Sequence, residues 1–296
     1  MGNTEKYIDL HIHSTFSDGH FNVDELVEMA RQSNTNFIAI SDHDTVKSFS
    51  VLKNNLLDGM YTTSAVEFST YLMMGGSKIK LHLLGYGFNS ENNKIQSLLT
   101  ELKRRRLKIH YKFLTDLENQ FKHLPDEVYK LDIERYCWFD RDVLQCIRDN
   151  LCDMKKLQDY ETYFKNHKLR YGLSYPINIE DAINVINNAG GISVLAHPMA
   201  YGLSFEQMQV IIQKLILMGV QGIETFQSDC SYEDSIKLLN EANEYNLLYS
   251  VGSDFHRLVN SDGRKIGKGI NNNLCITTTS VTEELFHKKL VLKGKK

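Results

Sequence analysis

The sequence lacks the cysteine pattern of a disulfide-stabilised domain. Its 296 residues include five cysteines, an odd number, and no two of them form a CxxC pair. A scattered, odd set of cysteines argues against a disulfide framework and favours a reducing compartment. We therefore expect a cytoplasmic protein.

Long apolar runs are also missing. No stretch approaches the roughly 18 consecutive apolar residues of a transmembrane helix. The N-terminal segment MGNTEKYIDL has no apolar run of the kind found in signal peptides. The formal net charge is only −3, which gives no global attraction to nucleic acid or to a membrane. We expect neither membrane association nor an obligate protein partner.

The pattern that is present is an apolar strand, a polar loop and an amphipathic helix, repeated along the chain. Strands are predicted at residues 7–11, 36–40, 60–66, 79–86, 192–196, 220–226, 247–251 and 274–277. Helices are predicted from residue 22, at 179–188, 204–218 and 231–245, and from about residue 281. Asn22 with Glu25, and Ser204 with Gln207, have the spacing of helix-capping pairs. This rhythm predicts an α/β fold in which about seven parallel strands close into a barrel.

One segment breaks the rhythm. Residues 91–171 show helical periodicity only, with many charged and aromatic side chains and almost no glycine. We predict that this segment is an inserted, all-helical cap subdomain. The barrel domain then comprises residues 1–90 and 172–296.

Side chains that can bind metal ions occur on or directly after successive predicted strands. They are His11, His13, Asp18, His43, Glu67, His82, His197, Asp254 and His256. The carboxyl ends of parallel barrel strands open on one face, so these scattered residues are expected to converge there. Residues i and i+2 of a strand point the same way, so His11 and His13 can face one ion. The sequence therefore predicts a metal cluster.

Three residues of this region have a plainer alternative. Asp18 lies in a Ser-Asp-Gly sequence and could be only a turn residue. His82 could be a histidine of the core. Asp42 either orients the adjacent His43 or bonds within its own loop.

The motifs resemble those of the PHP (polymerase and histidinol phosphatase) family. The matching stretches are DLHIHS at 9–14, SDG at 17–19, ISDHDT at 40–45, HLLGY at 82–86, LAHP at 195–198 and GSDFH at 252–256. The resemblance covers residues 1–90 and 178–280 and implies a distorted (β/α)7 TIM-like barrel. The helical insertion resembles that of a subgroup that acts on 3′,5′-nucleoside bisphosphates and on short RNA.

The resemblance also implies three divalent metal ions, and Mn²⁺, Fe²⁺ and Zn²⁺ would all suit imidazole and carboxylate ligands. The implied ligands of the first ion are His11, His13, Glu67 and Asp254. Glu67 would bridge to a second ion bound by His82 and His197. The implied ligands of the third ion are Asp18, His43 and His256. All nine ligand types are present, so a degenerate structural domain is not expected.

Such a cluster can hydrolyse phosphate esters without a serine or cysteine nucleophile. A water shared by the two ions on Glu67 would be deprotonated near neutral pH, and the third ion would hold a phosphoryl oxygen. The predicted catalytic residues are Glu67, Asp254, His256 and Asp42. We expect a small phosphorylated substrate: a nucleotide, including 3′,5′-bisphosphonucleotides, or the 5′ end of a short RNA.

Substrate recognition is expected from the helical insertion. Arg135, Arg141 and Arg170 are the candidates for binding a second phosphate, whereas the run from Lys103 to Arg106 is expected to be a solvated helix face. Where the subgroup carries an Arg and a His, this chain has Tyr-Cys-Trp at residues 136–138. These aromatics would either stack on a base or pack in the subdomain core.

Three other functions stay open on the sequence. A histidinol-phosphatase-like activity is disfavoured by the large insertion. A metal-dependent amidohydrolase acting on C–N bonds also begins with a strand-end HxH, but such enzymes usually have a metal-bridging lysine and a lone late aspartate. Here Glu67 takes the bridging position and Asp254 is paired with His256. A non-catalytic metal- or nucleotide-binding module is disfavoured by the complete ligand set.

Overall fold

A computed structural model describes residues 5–131, 139–172, 176–258 and 263–294, without the side chains of 139–141 and 167–172. The described strands are β1 Tyr7–Ile12, β2 Thr35–Ile40, β3 Tyr61–Thr62, β4 Ala65–Met74, β5 Ser77–Tyr86, β6 Ile177–Asn178, β7 Ile192–Leu195, β8 Gly222–Gln227, β9 Leu248–Gly252 and β10 Leu292–Lys293. The described α-helices are α1 Val23–Gln32, α2 Lys47–Asn55, α3 Asn93–Phe121, α4 Phe139–Asn150, α5 Met154–Gly172, α6 Ile179–Asn188, α7 Phe205–Leu217, α8 Tyr232–Glu244 and α9 Ser280–His287. No helix in these ranges combines the length and apolar character needed to cross a membrane.

The strands form an α/β fold with two sheets. One sheet has the order β1-β2-β3-β10 and the other β6-β4-β5-β7-β8-β9. The pairs β1–β2, β7–β8 and β8–β9 are parallel, as the strand-helix rhythm predicts. Two parallel bridges connect the sheets, one from Ile12 to Phe255 and one from His43 to Glu67. The first bridge joins the carboxyl end of β1 to the segment that follows β9. The second joins the segment that follows β2 to β4.

Strand β5 departs from the all-parallel arrangement expected from the sequence. It pairs antiparallel with β4 from Ala65–Tyr86 to Met74–Ser77, and it is also antiparallel to β7. Gly75 and Gly76 form the turn, with φ values of 56° and 80°. Two consecutive residues at positive φ are typical of a tight hairpin turn, and glycine adopts this conformation at little cost. The prediction of parallel strands was therefore wrong for β5, because a two-residue turn leaves no room for a crossover helix.

Two further strand predictions differ from the structure. The segment predicted at 60–66 is divided into β3 and the start of β4, which continues to Met74. The strand predicted at 274–277 is absent, although this segment lies beside β1, with Ile8 N donating to Ile276 O at 2.9 Å. A single backbone hydrogen bond does not form a β-ladder. The apolar residues of this segment therefore led to the prediction of a strand that does not form.

Helix capping and strand alternation agree with the prediction. Asn22 with Glu25, and Ser204 with Gln207, form reciprocal capping boxes at the starts of α1 and α7. On β4, Phe68 and Leu72 join the main hydrophobic core with residues of α6 and α7. Alternation along the strand sends Glu67 to the opposite face. The same packing that buries the apolar face of β4 thus presents Glu67 to the interior between the sheets.

The described part of the 91–171 segment is helical. The beginning of α3 packs in the main core through Ile95, Leu99 and Leu102. Its later turns form a second core with α4, α5 and the 3-10 helix Asp126–Lys130. Helix α3, at 29 residues, therefore belongs to both cores and connects them.

Candidate metal centre

All nine predicted ligands meet at one place. Their ligand atoms form four overlapping groups in which every atom lies within 4.8 Å of the others. The groups are His13, Asp18, His43 and His256; His11, His13 and Asp254; His11, Glu67 and His197; and His43, Glu67 and His82. Strand ends supply most of these residues, as the sequence pattern predicts. Glu67 was predicted to follow a strand, but it is the third residue of β4, because that strand continues to Met74.

Glu67 is at the centre of the cluster and is completely buried. Its two carboxylate oxygens lie between 2.8 and 3.3 Å from ring nitrogens of five histidines: His11, His13, His43, His82 and His197. Its Oε1 faces both His82 Nδ1, at 2.8 Å, and His197 Nε2, at 2.9 Å. A carboxylate with this many imidazole neighbours can bridge two cations.

His82 reaches the cluster from the middle of a strand. His82 pairs directly with Ser69 on β4. Ser69 is two residues beyond Glu67, so the side chains of His82 and Glu67 lie on the same face of the sheet. The antiparallel direction of β5 is what allows a mid-strand residue to contribute. Its contact with Glu67 places it in the cluster and not among apolar core residues.

Asp18 also faces the histidines. Its Oδ1 lies 3.1 Å from His256 Nε2 and 3.5 Å from His13 Nδ1, and its Oδ2 lies 3.9 Å from His43 Nε2. The rings of His13 and His256 stack with centroids 4.1 Å apart. The loop after β1 therefore does more than turn the chain, because it carries a carboxylate into the cluster.

Asp254 and His256 form the side of the cluster that opens to solvent, with 22% and 26% of their side chains exposed. Asp254 has a φ of 53°, in the left-handed region that non-glycine residues rarely adopt. Arg264 supports this conformation, because its Nη1 donates to Asp254 O at 3.3 Å while its Nη2 donates to Asp229 at 2.8 Å. Unfavourable backbone conformations that persist in this way are frequent at functional sites.

The buried charges of the cluster stabilise one another. Burial lowers the pKa of His13, but hydrogen bonds to Asp254 and Glu67 outweigh burial and raise that pKa to about 10. Burial raises the pKa of Glu67 and of Asp254, but the surrounding imidazoles outweigh it and hold both well below the usual range. Burial lowers the pKa of His82 to about 3. Glu67 and Asp254 are therefore ionised and His13 is protonated at neutral pH, whereas His82 is neutral.

The donor set fits divalent cations. Among the described residues, His82 Nε2 and His197 Nδ1 are buried without a hydrogen-bond partner. Such atoms usually cost about 1–3 kcal/mol each. His11 Nε2 and His13 Nε2 lie 3.1 Å apart, so both nitrogens are directed at the same region. Imidazole and carboxylate ligands in this arrangement suit Mn²⁺, Fe²⁺ or Zn²⁺.

Asp42 lies in the loop-bonding arrangement that the sequence left open. Its Oδ1 accepts hydrogen bonds from Ser14 N at 2.7 Å and Ser17 Oγ at 2.6 Å, and its Oδ2 accepts from Ser14 Oγ at 2.6 Å. Ser17 Oγ is in turn 3.4 Å from His13 Nδ1. Asp42 thus supports the loop after β1, and through Ser17 it is connected to His13.

The side chains of the predicted substrate-binding residues lie outside the described part of the structure. Arg135 falls in the undescribed range 132–138, as do the aromatics at 136 and 138. Arg141 and Arg170 lie on α4 and α5, but their side chains are not among those described. Their roles stay predictions.

Arg106 was wrongly assigned to a solvated face. It is 5% exposed, and its Nη1 lies 3.5 Å from Oδ2 of the completely buried carboxylate of Asp44. Arg104, two residues earlier, does face solvent and pairs with Glu101. The helix turns by about 100° per residue, so one member of a basic run faces inward where a buried carboxylate is available.

Sequence reasoning also missed two buried carboxylates beside the cluster. Glu224 on β8 contacts both His11 and the backbone of His197. Asp9 accepts hydrogen bonds from Ser253 N at 2.9 Å and Gly267 N at 2.7 Å, and burial raises its pKa to about 6. A charged residue within an apolar strand is the signal that identifies both, since an unpaired buried charge is rarely tolerated.

The chain is similar to several known proteins. The profile of the PHP domain matches residues 9–261. A 5′-3′ exoribonuclease from Haemophilus influenzae is 30% identical over 267 residues, which cover 86% of this chain and 90% of the relative. A 3′,5′-nucleoside bisphosphate phosphatase from Chromobacterium violaceum is 25% identical, with 88% and 90% covered. The solved structure of an amidohydrolase from Chromobacterium violaceum, with bound sulfate and no metal, superposes with a TM-score of 0.71 at 22% identity, covering 97% and 98% of the two chains.

Proposed function

The chain belongs to the PHP domain family and is a metal-dependent phosphoesterase, and on that basis we propose that it hydrolyses phosphate monoesters of nucleotides. The observation that carries the proposal is the convergence of six imidazoles and two further carboxylates with Glu67. The two relatives described above are named for different substrates, but both names refer to phosphate esters of nucleotides. A 3′,5′-bisphosphonucleotide and the 5′ end of a short RNA are therefore the substrates to test first.

Three divalent cations would occupy the cluster. The groups containing Asp18 and Asp254 support two of the predicted sites, and Glu67 Oε1, which faces both His82 and His197, supports the third. When bound, such cations activate water near neutral pH and neutralise charge on phosphoryl oxygens. The chain's own contribution is to hold imidazole and carboxylate groups at fixed separations. The solvent exposure of Asp254 and His256 supports an approach of the phosphate from their side of the cluster.

The proposal extends to the architecture around the site. The bridges Ile12–Phe255 and His43–Glu67 connect β1, β2, β4, β5, β7, β8 and β9 in a ring of seven strands, which supports a distorted barrel. We assign residues 91–171 as the cap subdomain over its open end. The contact from Arg106 on α3 to Asp44, next to His43, supports this position.

The test is hydrolysis by purified protein reconstituted with Mn²⁺, Fe²⁺ or Zn²⁺, followed as release of phosphate, of mononucleotides from the RNA, or of amine from the amide. The panel contains a 3′,5′-bisphosphonucleotide, a mononucleotide, a 5′-phosphorylated oligoribonucleotide, histidinol phosphate and a C–N amide substrate. We expect release from the nucleotides, and loss of turnover in His11→Ala and Asp254→Ala with the fold retained. His287→Ala, an exposed histidine on α9, is the matched control. Hydrolysis of the amide alone, or wild-type turnover in Asp254→Ala, would overturn the proposal.

A further inference from the structure

Glu224 is a completely buried carboxylate that lies outside the nine predicted ligands. Its Oε1 lies 3.0 Å from His11 Nδ1, and its Oε2 accepts a hydrogen bond from the backbone N–H of His197 at 2.7 Å. One side chain from β8 is therefore in contact with two separate members of the cluster. His197 has a φ of 27°, so its backbone needs support in an unfavourable conformation.

The contact between His11 and Glu224 requires a residue without a side chain at position 252. A Cβ atom on Gly252 would lie 2.1 Å from His11 Cβ and 2.4 Å from Glu224 Oε1. Both distances are far shorter than van der Waals contact. The end of β9 must therefore carry a glycine for His11 and Glu224 to meet.

The geometry divides the two nitrogens of the His11 ring. Nδ1 faces Glu224, whereas Nε2 faces His13 Nε2 at 3.1 Å and Glu67 Oε2 at 3.3 Å. If Nδ1–H donates to Glu224, the lone pair of Nε2 is left for the cluster. Carboxylates commonly fix the tautomer and orientation of metal-binding histidines in this way.

A carboxylate suits this position better than an amide. The two partners of Glu224 are both donors, since His197 presents a backbone N–H and His11 presents Nδ1–H when Nε2 binds a cation. A glutamine has a single acceptor oxygen, so its amino group must face one of these donors. The fully buried setting makes such a mismatch costly.

We propose that Glu224 is a positioning residue that holds His11 in the Nδ1–H tautomer and supports the backbone of His197, so that both rings bind cations. This inference rests on the proposed metal-dependent function. The role of Glu224 can be tested separately from that function, because cation binding can be measured without any substrate.

The experiment compares Glu224→Gln with wild type, and uses Glu241→Gln as the matched control. Glu241 is also a buried glutamate, but it lies on α8 and accepts a hydrogen bond from Gln209. Zn²⁺ affinity of the metal-free proteins is measured by chelator competition. Loss of a residue that supports a metal ligand typically lowers metal affinity by about 10–100-fold. We expect a loss in that range for Glu224→Gln and wild-type affinity for Glu241→Gln.

A second readout begins with the wild-type protein, where it does not depend on the folding of a variant. In Zn²⁺-loaded wild-type protein labelled with ¹⁵N-histidine, NMR should show His11 protonated at Nδ1 and metal-bound at Nε2. In Glu224→Gln the Nδ1–H resonance should move upfield and exchange faster with water. Protonation of His11 at Nε2, or wild-type Zn²⁺ affinity in a folded Glu224→Gln, would overturn the proposal. If Glu224→Gln binds Zn²⁺ weakly but the wild-type protein releases no phosphate from nucleotides, the proposed substrate is wrong and the role of Glu224 stands.

Discussion

The buried ion pair between Arg106 and Asp44 allows a quantitative test of how the helical segment is attached. Arg106 Nη1 and Asp44 Oδ2 are 3.5 Å apart, and the two side chains are 6% and 0% exposed. At an effective dielectric constant of about 20, opposite charges at this separation attract by roughly 4–5 kcal/mol. Removing one partner of a buried pair leaves the other charge uncompensated and typically costs about 3–5 kcal/mol.

We predict that Arg106→Met lowers the free energy of unfolding by about 3 kcal/mol or more. Arg104→Met is the matched control, because Arg104 lies on the same helix and pairs with Glu101 at 2.7 Å, but is 64% exposed. Exposed pairs contribute about 0.2–1 kcal/mol. In thermal denaturation, 1 kcal/mol corresponds to roughly 2–4 °C for a chain of about this size, so the two variants should differ by several degrees.

The double variant Arg106→Met with Asp44→Asn completes the cycle. Removing both charges avoids a lone buried charge, so the double variant should be more stable than the sum of the two single changes implies. The amide introduced by Asp44→Asn would keep an oxygen that can accept the hydrogen bond Asp44 now receives from Ser69 N at 2.8 Å. Equal, small losses in Arg106→Met and Arg104→Met, or strict additivity of the cycle, would refute the reasoning.

Three more predictions concern the cluster itself. Chelation should lower the unfolding temperature, and returning a divalent metal at about 100 times its Kd should raise the free energy of unfolding by about 2.7 kcal/mol; an unfolding curve indifferent to metal would contradict the site. Because the pKa of His13 is raised to about 10 in the metal-free protein, this ring carries a proton at pH 7 that a cation must displace. Apparent metal affinity should therefore increase as pH rises from 6 to 9, with calorimetric heats that depend on the buffer; affinity that is flat or falls with pH would argue against displacement. Gly252→Ala should lower stability by about 1–3 kcal/mol through overpacking against His11 and Glu224, and should weaken metal binding, as followed by circular dichroism and metal analysis; a variant with native stability and metal content would show that the close approach is not required.

Local signals in the sequence predicted much of the fold. The capping pairs at Asn22 and Ser204 mark the starts of α1 and α7, and the boundaries of α6 were predicted without error. These features depend on residues a few positions apart, and the hydrogen bonds that they predict form within a single turn. The same applies to His11 and His13, whose common direction follows from strand alternation alone.

Two features of the structure were not predicted, for different reasons. The antiparallel direction of β5 follows from the turn at Gly75-Gly76, a local hairpin signal that the strand-helix rhythm did not take into account. The inward direction of Arg106 depends on the presence of Asp44, 62 positions away. The pairing of Arg106 with Asp44 leaves no trace in the helical periodicity of α3.

The sequence by itself determined most of the elements and the chemical groups that stand near their ends, because helix periodicity, caps and strand alternation are local properties of the chain. Only the tertiary structure decided how those groups are arranged around Glu67 and which carboxylates, above all Glu224, lie behind them. That arrangement depends on the packing of strands that are distant in sequence. Burial makes each unpaired charge costly, so buried charged groups pair with groups from other strands, and no local sequence pattern predicts these pairs.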